Sequence, residues 1–215
     1  MVREFVSYTN DAVMNTRFTL VRHAESLWNA AGRWQGHGDP PLSELGFSQA
    51  LACAERFAEA GEHVDLLICS DLLRTRQTAG AIGERLGLTP RPTSQLRELA
   101  IGRWTGMTRE AIGKTEGDLL ERFDSGDPDV RPGDGESRNE IRHRVRNAVE
   151  SLGLENPGKH LVLVVHAGVI RALVPDANPK NTDSVGITLA EIREARPEVH
   201  LHAPAARYPN SDVQY

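Results

Sequence analysis

Three short runs of aliphatic and β-branched residues, Phe18 to Val21, Val64 to Cys69 and Leu161 to Val165, are continuous rather than alternating. Strands of that kind are buried on both faces, as in a parallel sheet covered by helices. Between them lie stretches with apolar residues at helical spacing. One opens at Ser43, a plausible cap for the first turn, carries Leu51, Ala54, Phe57 and Ala58, and stops at Gly61. A second is read as capped by Ser70, with Leu73, Thr78 to Ala81, Ile82 and Leu86 facing inward and Gly87 at its end. A third runs from Ser137 to Leu152, with Ile141, Val145, Ala148, Val149 and Leu152 as its apolar stripe. Strands alternating with helices predict a three-layer α/β/α sandwich around a mostly parallel central sheet.

Length and punctuation refine this picture. With 215 residues the chain fits a single larger domain, expected over 16–202. Residues 1–15 are expected as a flexible extension and 203–215 as a loose tail without periodicity. Residues 124–136, DSGDPDVRPGDGE, are rich in Gly, Pro and Asp and read as a surface loop, either a lid or a connector.

Charge and cysteine content then exclude some partners. A net charge of −5 argues against a broad electrostatic grip on nucleic acid or membrane, although a local basic pocket is compatible with it. Cys53 and Cys69 are too few for a disulfide framework or a zinc site. No segment reaches the roughly 18 apolar residues of a membrane span, and the N-terminal stretch lacks the apolar core of a signal peptide. The expectation is a cytoplasmic protein.

The three apolar runs end in polar groups of one kind: Arg22-His23, Ser70 followed by Arg74, and His166-Ala167-Gly168. In an open parallel sheet ligands sit beyond the carboxyl ends of the strands, so these endings converge. Two arginines and two histidines at turns and helix starts suit a phosphate. One histidine can then serve as a nucleophile, while the other, held among anions, is expected to stay protonated and stabilise the transferring group. Glu98, in LRELAIGRWTGMT, is the candidate proton donor for a leaving alkoxide. The histidines at 37, 63, 143, 160, 200 and 202 read as solvated.

These residues resemble the histidine phosphatase superfamily, branch 1, also called phosphoglycerate mutase-like. The likeness spans roughly residues 17–190 and rests on LVRHAESLWN, LSELGFSQA, SDLLRTRQTA, LRELAIGRWTGMT, GDGES and VVHAGVIRAL in order. It implies a phosphoglycerate mutase-like fold, His23 as the phosphorylated nucleophile, Arg22 and Arg74 as phosphate clamps, His166 as the second pocket histidine and Glu98 as proton donor. Asn29 matches a phosphate-contacting position, and neither metal nor cofactor is implied. Ala24 stands where glycine is usual, and Pro175, Asn178 and Pro179 break the segment after VIRALV, which many relatives continue as a long helix. NTDSVGITLAEI resembles the closing strand.

The expected activity is metal-independent hydrolysis of a phosphomonoester of a small metabolite through a phosphohistidine. The alternatives are phosphoglycerate mutase-type transfer and a non-catalytic phospho-ligand binding module. Cofactor-dependent mutases resemble this chain but carry a tyrosine three residues after the acid and an arginine pair further on; here those places hold Ile101 and, at best, Arg122. Gln35, His37, Arg103 and Trp104 are the candidates for touching the leaving group, with Gly36 and Ala167 added to the binding set. The expected partners are a phosphorylated small molecule and, at most, a second copy of the chain in a homodimer.

Overall fold

Five strands form one sheet in the order β3-β2-β4-β1-β5, in a computed structural model that describes residues 10–194. They are β1 (Arg17–Arg22), β2 (Leu66–Ser70), β3 (Arg91–Thr93), β4 (His160–Val165) and β5 (Ser184–Thr188). β4 lies between β1 and β2 and pairs parallel with both; β3 pairs parallel with β2, and only β5 runs antiparallel, against β1. This is the expected mostly parallel sheet.

Successive residues of the buried strands serve opposite layers. Val21, Leu67, Cys69, Val162 and Val164 pack against α3 (Glu44–Ala60) and α4 (Leu73–Leu86). Phe18, Leu20, Ile68, Leu161, Leu163 and Val165 pack against α6 (Arg138–Glu155), α7 (Ala167–Leu173) and α8 (Leu189–Glu194). The three layers of the expected sandwich follow directly. Two further helices are α2 (Leu27–Ala30) and α5 (Arg109–Asp124).

Helix boundaries follow local chemistry. Ser43 accepts from Gly46 N and caps α3, and Gly61, in the left-handed region at φ 64°, closes it. Ser137 and Glu140 form a reciprocal capping box at the start of α6. Gly87 closes α4 as expected, but its N-cap is Leu72: Ser70 is still strand, because its backbone completes the ladder with β3. Leu51 is exposed, since α3 turns Gly46, Ala50, Cys53 and Ala54 to the sheet instead.

Other expectations are corrected. Residues 10–14, read as part of a loose extension, form α1 (Asn10–Met14), and Val13 packs on the core. Residues 1–9 and the tail at 203–215 lie outside the described residues. The 124–136 segment is not simply a surface loop, for Val130, Pro132 and Gly133 are buried. Glu136 N donates to Ala100 O at 2.8 Å, tying it to the segment that follows Glu98. Cys53 and Cys69 are free and buried, and burial pushes the Cys69 thiol up to about 12. No helix among the described residues is long and apolar enough to cross a membrane.

Candidate active site

The carboxyl ends of β1 and β4 and the first turn of α4 meet at one cavity of about 100 Å³. Its inner wall consists of Arg22, His23, Arg74, Glu98, Ala167 and Gly168. The register explains the meeting: Arg22 pairs with Val165 in the ladder, which sets His23 and His166 side by side, one residue beyond each strand. Their rings stand 5.2 Å apart, edge to face.

His23 Nδ1 lies 2.7 Å from Ala24 O, a pure acceptor, so this nitrogen carries the ring hydrogen. Nε2 is then the unprotonated nitrogen, and its lone pair accepts from Arg74 Nε at 3.3 Å. Burial, reinforced by Arg74 and Arg22, holds His23 well below the ordinary histidine value. The ring is therefore neutral at neutral pH and has the electronic form a nucleophile needs.

Arg74 is fully buried on α4 and donates to Gly38 O at 2.8 Å and Gly36 O at 3.0 Å. Burial lowers it to about 10, which leaves it charged at neutral pH. Gly36 can present that carbonyl because it adopts φ 48°, and a Cβ there would stand 2.5 Å from Ile101 Cγ1. Arg22, also lowered by burial, donates from Nη1 to Pro179 O at 2.9 Å.

His166 departs from expectation. It is held among cations rather than anions: burial first, then Arg74, His23, His37 and Arg22, drive it well below the ordinary value. Both ring nitrogens are buried without a hydrogen-bond partner among the described residues. His166 is thus neutral, with two buried polar ring atoms that can serve an anion.

Glu98 reaches the cavity from the segment after β3. Its Oε1 accepts from Leu99 N at 2.8 Å and its Oε2 from Gly168 N at 3.1 Å, so the carboxylate faces the start of α7. The loop beneath is fixed by Arg144, which donates to Arg97 O at 3.0 Å and Glu98 O at 3.3 Å and grips Glu136 with two bonds. His37 Nε2 donates to Glu98 O at 2.8 Å. Burial opposes ionisation of Glu136, but hydrogen bonds from Arg144 and Ala100 N outweigh it and hold its carboxyl below the usual glutamate range.

The remaining sequence candidates divide. Gln35, Gly36 and Ala167 line the cavity. Asn29 does not: it forms a capping box with Ser26 at α2, and its Nδ2 is buried without a partner among the described residues. Ser26 Oγ donates to Gln35 Oε1 at 2.8 Å, so Asn29 acts one residue removed from the wall. Arg103 does not line it either; it turns outward to Glu116 and Asp134, because Gly102–Trp104 forms a single tight turn that sends neighbouring side chains in opposite directions. Trp104 is fully buried against Trp34 and Phe123 and is core, not a substrate contact. His160, read as solvated, is buried between Thr19 Oγ1 and His63 O.

Several residues escaped sequence reasoning. The segment after Val174 supports the pocket. Asp183 O accepts from Arg22 N, Thr182 N donates to Arg22 O, and Asn181 Nδ2 donates to His23 O at 2.8 Å. Backbone partners carry no side-chain signature, although the Pro175 to Pro179 break marks where the chain leaves the helix. Phe123, Arg138, Arg142 and Arg171 also line the cavity.

Residues 18–202 match the histidine phosphatase superfamily (branch 1). The chain is 33% identical over 174 residues to phosphoglycerate mutase-like protein 4 of Arabidopsis thaliana, covering 80% of this chain and 75% of that protein. It is 37% identical over 166 residues to a glucosyl-3-phosphoglycerate phosphatase of Mycobacterium tuberculosis, covering 73% of each. A mycobacterial glucosyl-3-phosphoglycerate phosphatase solved with VO3 superposes with a TM-score of 0.72 at 32% identity, over 80% of this chain and 92% of that one.

Proposed function

The chain belongs to the histidine phosphatase superfamily, branch 1, and is a phosphoric monoester hydrolase of that family; on that premise we propose that it works through a phosphohistidine at His23. His23 Nε2 attacks phosphorus in line as the bond to the leaving oxygen breaks, and Glu98 gives that oxygen a proton. A water then loses a proton to Glu98 and attacks the phosphohistidine, releasing inorganic phosphate and restoring both side chains. Arg22, Arg74 and His166 hold the phosphate oxygens throughout, and His166 takes up a proton as the dianion enters. Gln35, Gly36 and Ala167 complete the wall, with Asn29 holding Gln35 through Ser26.

The observation that carries this reading is the tautomer of His23: Nδ1–H is spent on Ala24 O, so Nε2 faces the cavity shared with Glu98. The mutase-type alternative asks for a tyrosine at the place of Ile101 and an arginine pair at the place of Arg122. Ile101 lines the cavity as an apolar residue, while Arg122 pairs with Asp127 away from it. A binding module has no use for a neutral nucleophile and a carboxylate in one pocket.

Phosphate release from sugar phosphates, nucleotides, phosphoglycerates and an aryl phosphate tests the reading, with and without chelator and beside His23→Ala. Release that survives chelator and is abolished by His23→Ala is expected. Interconversion of phosphoglycerates without release, strong loss in chelator, or an active His23→Ala would contradict it.

A further inference from the structure

On the premise that the chain acts on a phosphoric monoester, we propose that Arg138, Arg142 and Arg171 form a second anion subsite. It reads an acidic group on the leaving portion, so that preferred substrates carry a carboxylate or a second phosphate besides the phosphate that is cleaved.

The charge inventory of the cavity is the starting point. A protein of net charge −5 lines this one cavity with five arginines, Arg22, Arg74, Arg138, Arg142 and Arg171, against a single carboxylate, Glu98. A phosphomonoester brings a charge of roughly −1.5 to −2. Arg22 and Arg74 beside the two histidines answer it, and Arg138 and Arg142 line the cavity with no ion-pair partner among the described residues, with Arg171 beside them in the lining.

Those three come from two helices that pack on each other, α6 and α7. Residues 138 and 142 are four apart on α6, with Ile141 between them on the same face. Arg171 stands one turn beyond Ala167 on α7, and its Nε donates to Ala167 O at 3.4 Å. A single short helix therefore touches both the inner wall and the outer cluster. Arg171 is close enough that its charge contributes to lowering Arg22, after the larger effect of burial.

Neighbouring arginines behave differently. Arg131, Arg144 and Arg146, beside or on α6, each pair with a carboxylate: Glu140, Glu136 and Glu150. Among the described residues no carboxylate lies in ion-pair range of Arg138 or Arg142. Arg138 lays its guanidinium 4.3 Å above the Phe123 ring, gives Nη2 to Phe123 O at 3.0 Å, and keeps Nε buried without a partner. Among the described residues Arg142 donates to the neutral Asn139 Oδ1 at 3.1 Å. Phe123, Ile141 and Ala172 flank the cluster with apolar surface, which strengthens a charge-assisted bond made there.

An acidic-group subsite serves hydrolysis and transfer alike, so the test reads binding. In the His23→Ala background, which cannot turn over, calorimetry compares 3-phosphoglycerate with glycerol 1-phosphate, a pair differing by one carboxylate. A second comparison sets fructose 1,6-bisphosphate against fructose 6-phosphate. At least one acidic partner is expected to bind about tenfold or more tighter, and adding Arg142→Gln with Arg171→Gln is expected to bring that pair within about twofold. A gain confined to the first pair identifies a carboxylate, and one confined to the second identifies a phosphate. Equal affinities within both pairs, or a preference that survives the double substitution, would overturn the subsite. Phosphate release by the unsubstituted protein from 4-nitrophenyl phosphate is measured in parallel; its absence would sink the hydrolase reading while the affinity ratios still judge the subsite.

Discussion

Gly168→Ala separates the proton-donor role of Glu98 from the rest of the site. Gly168 N holds Glu98 Oε2 at 3.1 Å, and a Cβ at Gly168 would overlap Glu98 Oε1 and stand 3.1 Å from its Cδ. Carbon and oxygen at rest keep about 3.5 Å or more, so the carboxylate must retreat by on the order of 1 Å. The backbone has no cause to move, because Gly168 is not in the left-handed region and the obstructing atoms end a flexible side chain. Alanine in the first turn of α7 even favours the helix by about 0.5–1 kcal/mol. A misplacement of ~1 Å in a reacting group costs on the order of a hundredfold. The assay is kcat/KM, which reports the first, phosphoryl-transfer step, for an alkyl phosphate and for 4-nitrophenyl phosphate. The alkoxide needs a proton to leave and the nitrophenolate does not. Gly168→Ala is therefore expected to lower the alkyl value about a hundredfold, leave the aryl value within about threefold, and keep or raise the melting temperature. Equal losses on both substrates, or none on either, would refute Glu98 as the donor held by this turn.

Other consequences can be checked separately. Arg144→Ala leaves the half-buried Glu136 carboxylate without its partner and is expected to cost about 1–3 kcal/mol in denaturant unfolding, together with slower turnover from a looser Glu98 loop. Because Glu136 is held below its ordinary value of 4.5, that cost is present at neutral pH and shrinks as the pH falls through and below that range; a cost that grows toward acid would contradict the pairing. Asn181→Ala removes the bond to His23 O and is expected to reduce kcat/KM by about tenfold with under ~1.5 kcal/mol of destabilisation, whereas unchanged kinetics would show the buttress idle. Phosphate binding near pH ~7 is expected to take up protons on His166, because a neutral ring gains an anionic neighbour; calorimetry in buffers of different ionisation enthalpy, corrected for the protons the ligand itself releases on binding as the dianion, reads the number, and zero uptake after that correction would contradict the assignment.

The sequence and the structure agree where side-chain chemistry is locally repeated. The continuous apolar runs mark β1, β2 and β4 because a strand covered on both faces tolerates no polar position. Gly61 and Gly87 mark helix ends because the left-handed closing residue favours glycine. Arg22, His23, Arg74, Glu98 and His166 could be brought together in advance because each carries a titratable or cationic side chain, and all but Glu98 stand at or follow strand ends that converge. The support around them was harder to see. Pro179, Thr182 and Asp183 act through backbone atoms, which any residue type supplies. Arg138 and Arg142 look like the solvated face of α6 until the helix is docked against α7. Arg103 misled for the converse reason: it neighbours the acid motif in sequence, yet a tight turn at Gly102–Trp104 points it to Glu116. Ser70 looked like a cap because its hydroxyl suits one, but the ladder to β3 claimed its backbone.

The claim on which the mechanism rests is that phosphate passes through His23. Mixing the protein with a radiolabelled phosphomonoester, quenching in denaturing alkali within milliseconds and mapping the label tests it directly. Label that appears and decays at the rate of turnover, is acid-labile, and lies on the peptide bearing His23 is the predicted result. Turnover with label on another residue, or hydrolysis that persists in His23→Ala, would contradict it.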